Sequence, residues 1–261
     1  MRIFYVDAFT ERPFAGNPAA VCLLEHPKVD SWMQNVAAEA NLSETAFLLR
    51  QGDGYNLRWF TPRVEVELCG HATLASAHVL FATSGAPRDA TINFYTKSGV
   101  LRASMTDGLI ELNFPATPEE EAPIPEGLEA ALGVRALYVG KTQFDYFVEV
   151  ASDEMVRGLS PDFVALSSIP VRGVIVTAGS DSAKFDFVSR FFCPAVGINE
   201  DPVTGSAHCA LGPYWARRLN KTTLVAYQAS LRGGVVRVRL SDDRVYLAGG
   251  AVTVMSGELN V

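Results

Sequence analysis

Apolar and polar positions fall into short runs of strand character at residues 2–9, 20–24, 45–49, 56–60, 90–95, 100–105 and 109–114. Between them, Ser31-Trp32-Met33-Gln34 has the spacing of a capping box and predicts a helix through Val36, Ala37 and Ala40. A second helix is predicted from just after Gly70, through Leu74, Ala75, Val79 and Leu80, to Gly85. It is apolar on all sides, and a helix without a polar face is a buried one, placed here inside a wrapped sheet. Residues 116–125, rich in proline and glutamate, read as a linker. The pattern then restarts: a short helix at 125–132, strands at 137–139, 146–150, 173–177 and 185–192, and a helix at 206–219 that Pro213 should kink. Strands at 235–240, 244–247 and 252–255 close the chain, with Asp242-Asp243 as a hairpin turn. The expectation is an α+β fold of two pseudo-symmetric lobes, each a rolled, mostly antiparallel sheet around a central helix.

Two segments look like copies of one motif. Leu57-Arg58-Trp59-Phe60-Thr61-Pro62 leads to Cys69-Gly70-His71-Ala72-Thr73. Ser189-Arg190-Phe191-Phe192-Cys193-Pro194 leads to Asp201-Pro202-Val203-Thr204-Gly205-Ser206. Arg58 and Arg190, Pro62 and Pro194, and Cys69 and Asp201 are each separated by 132 positions without a gap. The expected lobes are residues 1–115, taking also the last strand at about 251–261, and residues 116–250, with the active site in the cleft between them. Helix starts carry unpaired N–H groups and a positive dipole end, so two of them near one another suit an anion.

Composition narrows the partners. The chain has 261 residues, 48% of them hydrophobic and 20% charged, which is ample for packed cores. A net charge of −7 argues against nucleic acid or an anionic membrane as partner. No apolar run reaches the roughly 18 residues of a membrane span, and no leader pattern precedes the first strand. Cys22, Cys69, Cys193 and Cys209 form no dense framework and read as thiols of a cytoplasmic protein.

Five motifs together resemble the phenazine-biosynthesis (PhzF-type) isomerase family. They are Gly16-Asn17-Pro18-Ala19-Ala20-Val21, Asn41-Leu42-Ser43-Glu44-Thr45-Ala46-Phe47, Arg58-Trp59-Phe60-Thr61-Pro62, Cys69-Gly70-His71-Ala72-Thr73 and Asp201-Pro202-Val203-Thr204-Gly205-Ser206-Ala207-His208. The closing Gly249-Gly250-Ala251-Val252 also fits. The resemblance runs from end to end in the right order. It implies the diaminopimelate epimerase-like fold and an isomerase that needs no cofactor. It names no substrate.

Glu44 sits where a helix gives way to a strand, among apolar Leu42, Ala46 and Phe47. A partly desolvated carboxyl suits acid/base work. The resemblance matches Glu44 to the family's proton-transferring glutamate. His71 opens a helix whose N-terminus should favour the neutral ring. Asp201 precedes a proline, where an acid often starts a turn or caps a helix. In epimerases of this fold the two equivalent loop positions carry thiols, and here they would be Cys69 and Asp201. Ser206 can cap the second helix and matches a family serine that contacts substrate. Gly70 and Gly205 let backbone approach a ligand, and Cys69, Thr204 and Asn17 complete the implied substrate-binding set.

The expected activity moves a proton on a small carboxylated metabolite, with Glu44, Asp201 and His71 catalytic. One alternative is an epimerase or racemase of an amino-acid-like substrate using Cys69 with Asp201 or Glu44. Another is a non-catalytic small-molecule binder. Zinc on Cys69, His71, His208 and Cys209 fails on ligand spacing, so no metal is expected. A Cys69 nucleophile would need a histidine in reach, and His71 two residues on should point elsewhere. The partner is a small-molecule carboxylate; neither nucleic acid nor membrane is expected, and a homodimer is compatible with the sequence.

Overall fold

A computed structural model of the protein describes residues 1–83, 87 and 90–260. The predicted end of the second helix at Gly85 lies outside the described residues. The chain divides into two compact units, Met1–Phe114 with Tyr246–Val261, and Pro115–Val245.

In the first unit the elements run β1 (Arg2–Ala8), β2 (Asn17–Leu24), α1 (Asp30–Ala40), β3 (Glu44–Gln51), β4 (Gly54–Phe60), β5 (Glu65–Val66), α2 (Gly70–Thr83), β6 (Ile92–Thr96), β7 (Gly99–Thr106) and β8 (Leu109–Pro115). The second unit holds β9 (Glu120–Glu121), α3 (Leu128–Leu132), β10 (Tyr138–Lys141), β11 (Asp145–Glu149), α4 (Asp153–Gly158) and α5 (Phe163–Ser167). It continues with β12 (Gly173–Gly179), β13 (Phe187–Phe192), α6 (Gly205–Leu219), β14 (Thr223–Gln228) and β15 (Gly234–Ser241). β16 (Arg244–Gly249) crosses the division, and β17 (Ala251–Glu258) returns to the first unit as the antiparallel partner of β1.

Within the first unit β1 is antiparallel to β2, β2 parallel to β3, β3 antiparallel to β4, and β4 parallel to β6, which leads antiparallel into β7 and β8. The inner strands are buried on both faces, so they read as continuous apolar runs. On one face Ala20, Cys22 and Phe47 meet Met33, Val36 and Ala37 of α1. On the other lies α2, packed on β1, β2, β3 and β17. Its few hydroxyls need no water: Thr73, Ser76 and Thr83 donate to the carbonyls of Cys69, Ala72 and Val79 one turn back. That internal satisfaction lets the helix be buried from His71 through Ala77.

Two local expectations are corrected. α1 starts at Asp30 behind Val29, with no side-chain cap, so Ser31 is already inside the first turn. Gln34 donates to the carbonyl of Thr61 instead of closing a capping box. The proline- and glutamate-rich stretch is no free linker. The N–H of Ala116 bonds Asp243, Glu120–Glu121 pairs with β10, and Glu119 is buried against Arg217. Pro213 lies inside α6, which continues to Leu219. A proline has no N–H for the carbonyl four residues back. That carbonyl, on Cys209, accepts instead from the N–H of Thr117 at 3.1 Å.

The second unit repeats the first in pairing order. β10 is antiparallel to β11, β11 parallel to β12, β12 antiparallel to β13, β13 parallel to β14, and β14 antiparallel to β15. The register fixes equivalent residues. Thr45 pairs with Phe60 and Ala19 with Glu44; Val174 pairs with Phe192 and Asp145 with Gly173. Gly173 therefore holds the position of Glu44, and Asp145 that of Ala19.

The offset of 132 holds along β4 and β13 but not at the helices. A 3-10 turn, Pro194–Val196, adds three residues in the second copy. Arg58 binds Glu65 through Nε and Nη2 at 2.7 and 2.8 Å, and Arg190 binds Glu200 the same way at 2.6 and 2.8 Å. Each guanidinium also covers the phenylalanine two residues on. Thr73 caps the carbonyl of Cys69 as His208 caps that of Thr204. The expected match of Cys69 to Asp201 is therefore wrong. Cys69 corresponds to Thr204 and His71 to Ser206. Asp201 bonds opposite Phe191, in the place of Val66 opposite Trp59.

The two arginine forks lock each β-strand to the loop that leads into its buried helix. Arg190 and Glu200 are mostly buried, and Arg190 also donates to the carbonyl of Leu159. Arg190→Met should lower stability by about 1–3 kcal/mol, because Glu200 is left without its partner. Asp30→Asn, which removes an exposed third contact of Arg58, should leave stability nearly unchanged. Urea unfolding of the two variants checks the contrast, and equal effects would refute it.

Candidate active site

Glu44 is placed by the end of α1. Asn41 closes that helix in a left-handed conformation, its N–H bonded to Ala37, and the chain enters β3 three residues later. Glu44 is the first residue of β3, beside Ala19 of the parallel β2. Asn17 opens β2 and is fully buried. Gly16 before it has φ +66, and a Cβ there would run into the carbonyl of Ala8, so the turn requires glycine.

Cys69 and His71 come from the start of α2, and both are buried. His71 sits between two polar groups. Its Nε2 lies 3.1 Å from Oε2 of Glu44, and its Nδ1 lies 3.1 Å from the carboxamide of Asn17. Cys69 Sγ is 3.5 Å from the same Nδ1, which corrects the expectation that His71 points away from the thiol: the first helical turn brings both side chains to one side. The side chain of Glu44 is 14% exposed, and Oε2 is its buried oxygen.

The thiol of Cys69 is pushed up to about 11, first by burial and then by Glu44. It is a neutral thiol at ordinary pH. Burial works against a charge on His71, yet the neighbouring Cys69 and Glu44 raise the ring well above the usual imidazole range. That direction is opposite to the lowering expected from the helix N-terminus, because negative charge beside the ring favours its charged form. A carboxamide can serve either ring state. Its NH2 donates to a neutral Nδ1, and turned over its oxygen accepts from Nδ1–H. Glu44 and Asn17 thus flank the two ring nitrogens of His71, Glu44 Oε2 in close contact but without an aligned hydrogen bond.

Glu44, Cys69 and His71 place one ligand-type atom each within 4.8 Å of one another. A cation there must displace the protons of both the thiol and the ring. His208 is engaged elsewhere, with Nδ1 on the carbonyl of Thr204 at 2.8 Å and burial holding its pKa down to about 4.

In the second unit the loop before α6 is stapled by Gln228. Its Oε1 accepts from the N–H of Thr204 at 2.8 Å, and its Nε2 donates to the carbonyl of Asp201 at 2.7 Å. Thr204 precedes the helix, and its hydroxyl donates to Oδ2 of Asp201 at 2.5 Å. Ser206 is inside the helix and makes no cap. Its Oγ accepts from Nη2 of Arg172 at 3.1 Å. Gly205 opens α6 as Gly70 opens α2.

The structure thus gathers Asn17, Glu44, Cys69 and His71 in the first unit, and Asp201 with Thr204 in the second. Arg172, Asp145 and Gln228 were missed. The gap-free repeat hid them, since an alignment with gaps sets Arg172 beside the Glu44 position.

Comparison with known proteins fits this architecture. The family model described as phenazine biosynthesis-like protein matches residues 6–257. An uncharacterized isomerase of Halalkalibacterium halodurans is 55% identical over 258 residues, covering 98% of this chain and 97% of its own. The crystal structure of a PhzF-family phenazine biosynthesis protein from Enterococcus faecalis has a TM-score of 0.96 at 46% identity, covering 100% of this chain and 99% of that one. A predicted epimerase from Pseudomonas aeruginosa shares the fold at a TM-score of 0.74 and 21% identity, with 100% and 99% covered. The chain therefore belongs to the PhzC-PhzF family of phenazine biosynthesis-like proteins and is an enzyme of the isomerase type.

Proposed function

We propose that the enzyme moves a proton between two carbons of a small carboxylated metabolite, with Glu44 as the acid/base and no cofactor. The observation that carries this reading is the contact of Glu44 with the buried His71, Oε2 to Nε2 at 3.1 Å. A ring nitrogen beside a carboxyl group can support it as a proton is taken from one carbon and given to another. Once Glu44 has taken the proton, the same contact stabilises its return. Asn17 holds the far side of the ring in either state. The backbone at Gly70 is a candidate binding group of the first unit; Asp201, fixed by Thr204 and Gln228, is a candidate of the second, with Ser206, Thr204 and the backbone at Gly205. The four cysteines are free thiols, which suits a reducing compartment such as the cytoplasm.

The thiol epimerase reading loses the pairing of Cys69 with Asp201, because Cys69 corresponds to Thr204, and keeps the pairing with Glu44, which lies beside the thiol. At neutral pH the raised pKa leaves little thiolate to act as the base. Only a thiolate alkylates. Native Cys69 should therefore react with iodoacetamide at pH 8 far more slowly than the same residue in urea. Since its folded pKa is the raised one, reactivity should rise toward pH 11. Peptide mass mapping reads this, and rapid labelling of native Cys69 at pH 8 would return the thiol to candidacy.

Glu44→Gln keeps the size and hydrogen-bonding of the side chain and removes the titrating group. It should lower proton exchange by about a hundred- to ten-thousand-fold while leaving the fold intact. Deuterium wash-in from solvent into a panel of small unsaturated and keto carboxylates, read by mass spectrometry, tests this. Cys69→Ser should stay within about tenfold of the parent. Inactivation by Cys69→Ser with near-normal Glu44→Gln would favour the epimerase instead. If neither change alters exchange on any carboxylate that binds, the protein is a binder.

A further inference from the structure

The second copy of the motif has lost the acid/base position. Gly173 stands where Glu44 stands in the first copy, by the pairing register on both sides. A Cβ at Gly173 would run into the ring of Phe191, so that position is closed to any side chain. Its neighbours have changed with it. Arg172 replaces Ser43, Asp145 replaces Ala19, and Ser206 replaces His71.

These three residues form one assembly. Arg172 donates from Nε to Oδ1 of Asp145 at 2.8 Å and from Nη2 to Oδ2 of Asp145, and Nη2 also reaches Oγ of Ser206. Phe144 and Phe191 lie against the guanidinium at 5.1 and 5.5 Å. A fork held by a carboxylate and two aromatic rings has little freedom left, which is how a cation is pre-organised for recognition.

Two donors remain. The Asp145 side chain is 3% exposed but that of Arg172 is 36% exposed, and Nη1 has no hydrogen-bond partner among the described residues. Ser206 Oγ accepts from Arg172, so its own O–H is left to donate, and it too has no acceptor among the described residues. A guanidinium N–H and a hydroxyl side by side, with no acceptor between them, match the two oxygens of a carboxylate.

We infer that Arg172 and Ser206 form a carboxylate-binding subsite, and that the second repeat has exchanged its acid/base position for this anchor. It rests on the isomerase reading only in taking the bound carboxylate to be the substrate's. Asp145 balances the charge of Arg172, and the field of Asp201 also reaches it. With no excess positive charge left, the subsite would hold a monoanion by its N–H and O–H donors and disfavours a phosphate dianion.

Calorimetric titration of the full chain with acetate and benzoate tests the assignment, with benzamide and inorganic phosphate as controls. Arg172→Gln alone would strand the buried Asp145, so it is combined with Asp145→Asn, and folding is checked by thermal melting. The parent should bind at least one of the two carboxylates, with benzamide and phosphate weaker. The double variant should lose about tenfold or more in affinity, and Ser206→Ala should lose less. Arg172→Lys should keep the fold but recover only part of the affinity, since an ammonium lacks the fork. The inference is overturned if neither carboxylate binds the parent, if phosphate or benzamide binds better, or if the folded double variant binds as the parent does.

Two further results separate this subsite from the isomerase reading. Arg172-dependent binding without Glu44-dependent exchange leaves the subsite and removes the isomerase. Glu44-dependent exchange with an unchanged KM in the double variant removes the subsite alone.

Discussion

A helix with no polar face must be covered on every side, and that requirement organises the first unit. α2 can be enclosed because its hydroxyls are satisfied by its own carbonyls, and the sheet that encloses it is apolar on both faces. The exception is the first turn, where backbone N–H groups have no intrahelical partner. Polar chemistry collects there. His71 is carried into the interior by the helix, a buried ring needs partners, and Glu44 and Asn17 are the first residues of the two strands that run past it. The site is a by-product of how the helix start is closed off.

The same solution appears twice, and the copies have diverged at their chemical ends while keeping their mechanical ones. The arginine forks to Glu65 and Glu200 are retained down to the ring beneath each guanidinium. The positions of Glu44 and His71 are not: glycine and serine stand there in the second copy.

Much of this was legible in the sequence. The buried α2 followed from its uniform apolarity, most long strands from their apolar runs, and the candidate residues of the first unit from compact motifs at helix and strand starts. What failed has physical causes. The three-residue turn at Pro194–Val196 has no periodicity to announce it, so an ungapped repeat matched Cys69 with Asp201. α4 and α5 are too short to show a 3.6-residue pattern. Residues 116–125 have the composition of a spacer, but Thr117 is drawn in by the carbonyl that Pro213 leaves open four residues before it. The contact of His71 with Glu44 is one that sequence distance conceals.

β1 is flanked by β2 on one side and β17 on the other, with Arg2 set against Glu258. The first unit thus enfolds the whole second unit in chain order. During synthesis, an early strand leaves the ribosome with one edge open and keeps it open until nearly the whole chain has emerged. A nascent chain in that state carries an unpaired, largely apolar edge, the kind that recruits foreign strands. The second unit, whose segments are contiguous, can close first. The protein should therefore mature from its middle outward, and its N-terminal half should depend on holding chaperones for longer than its position in the sequence suggests.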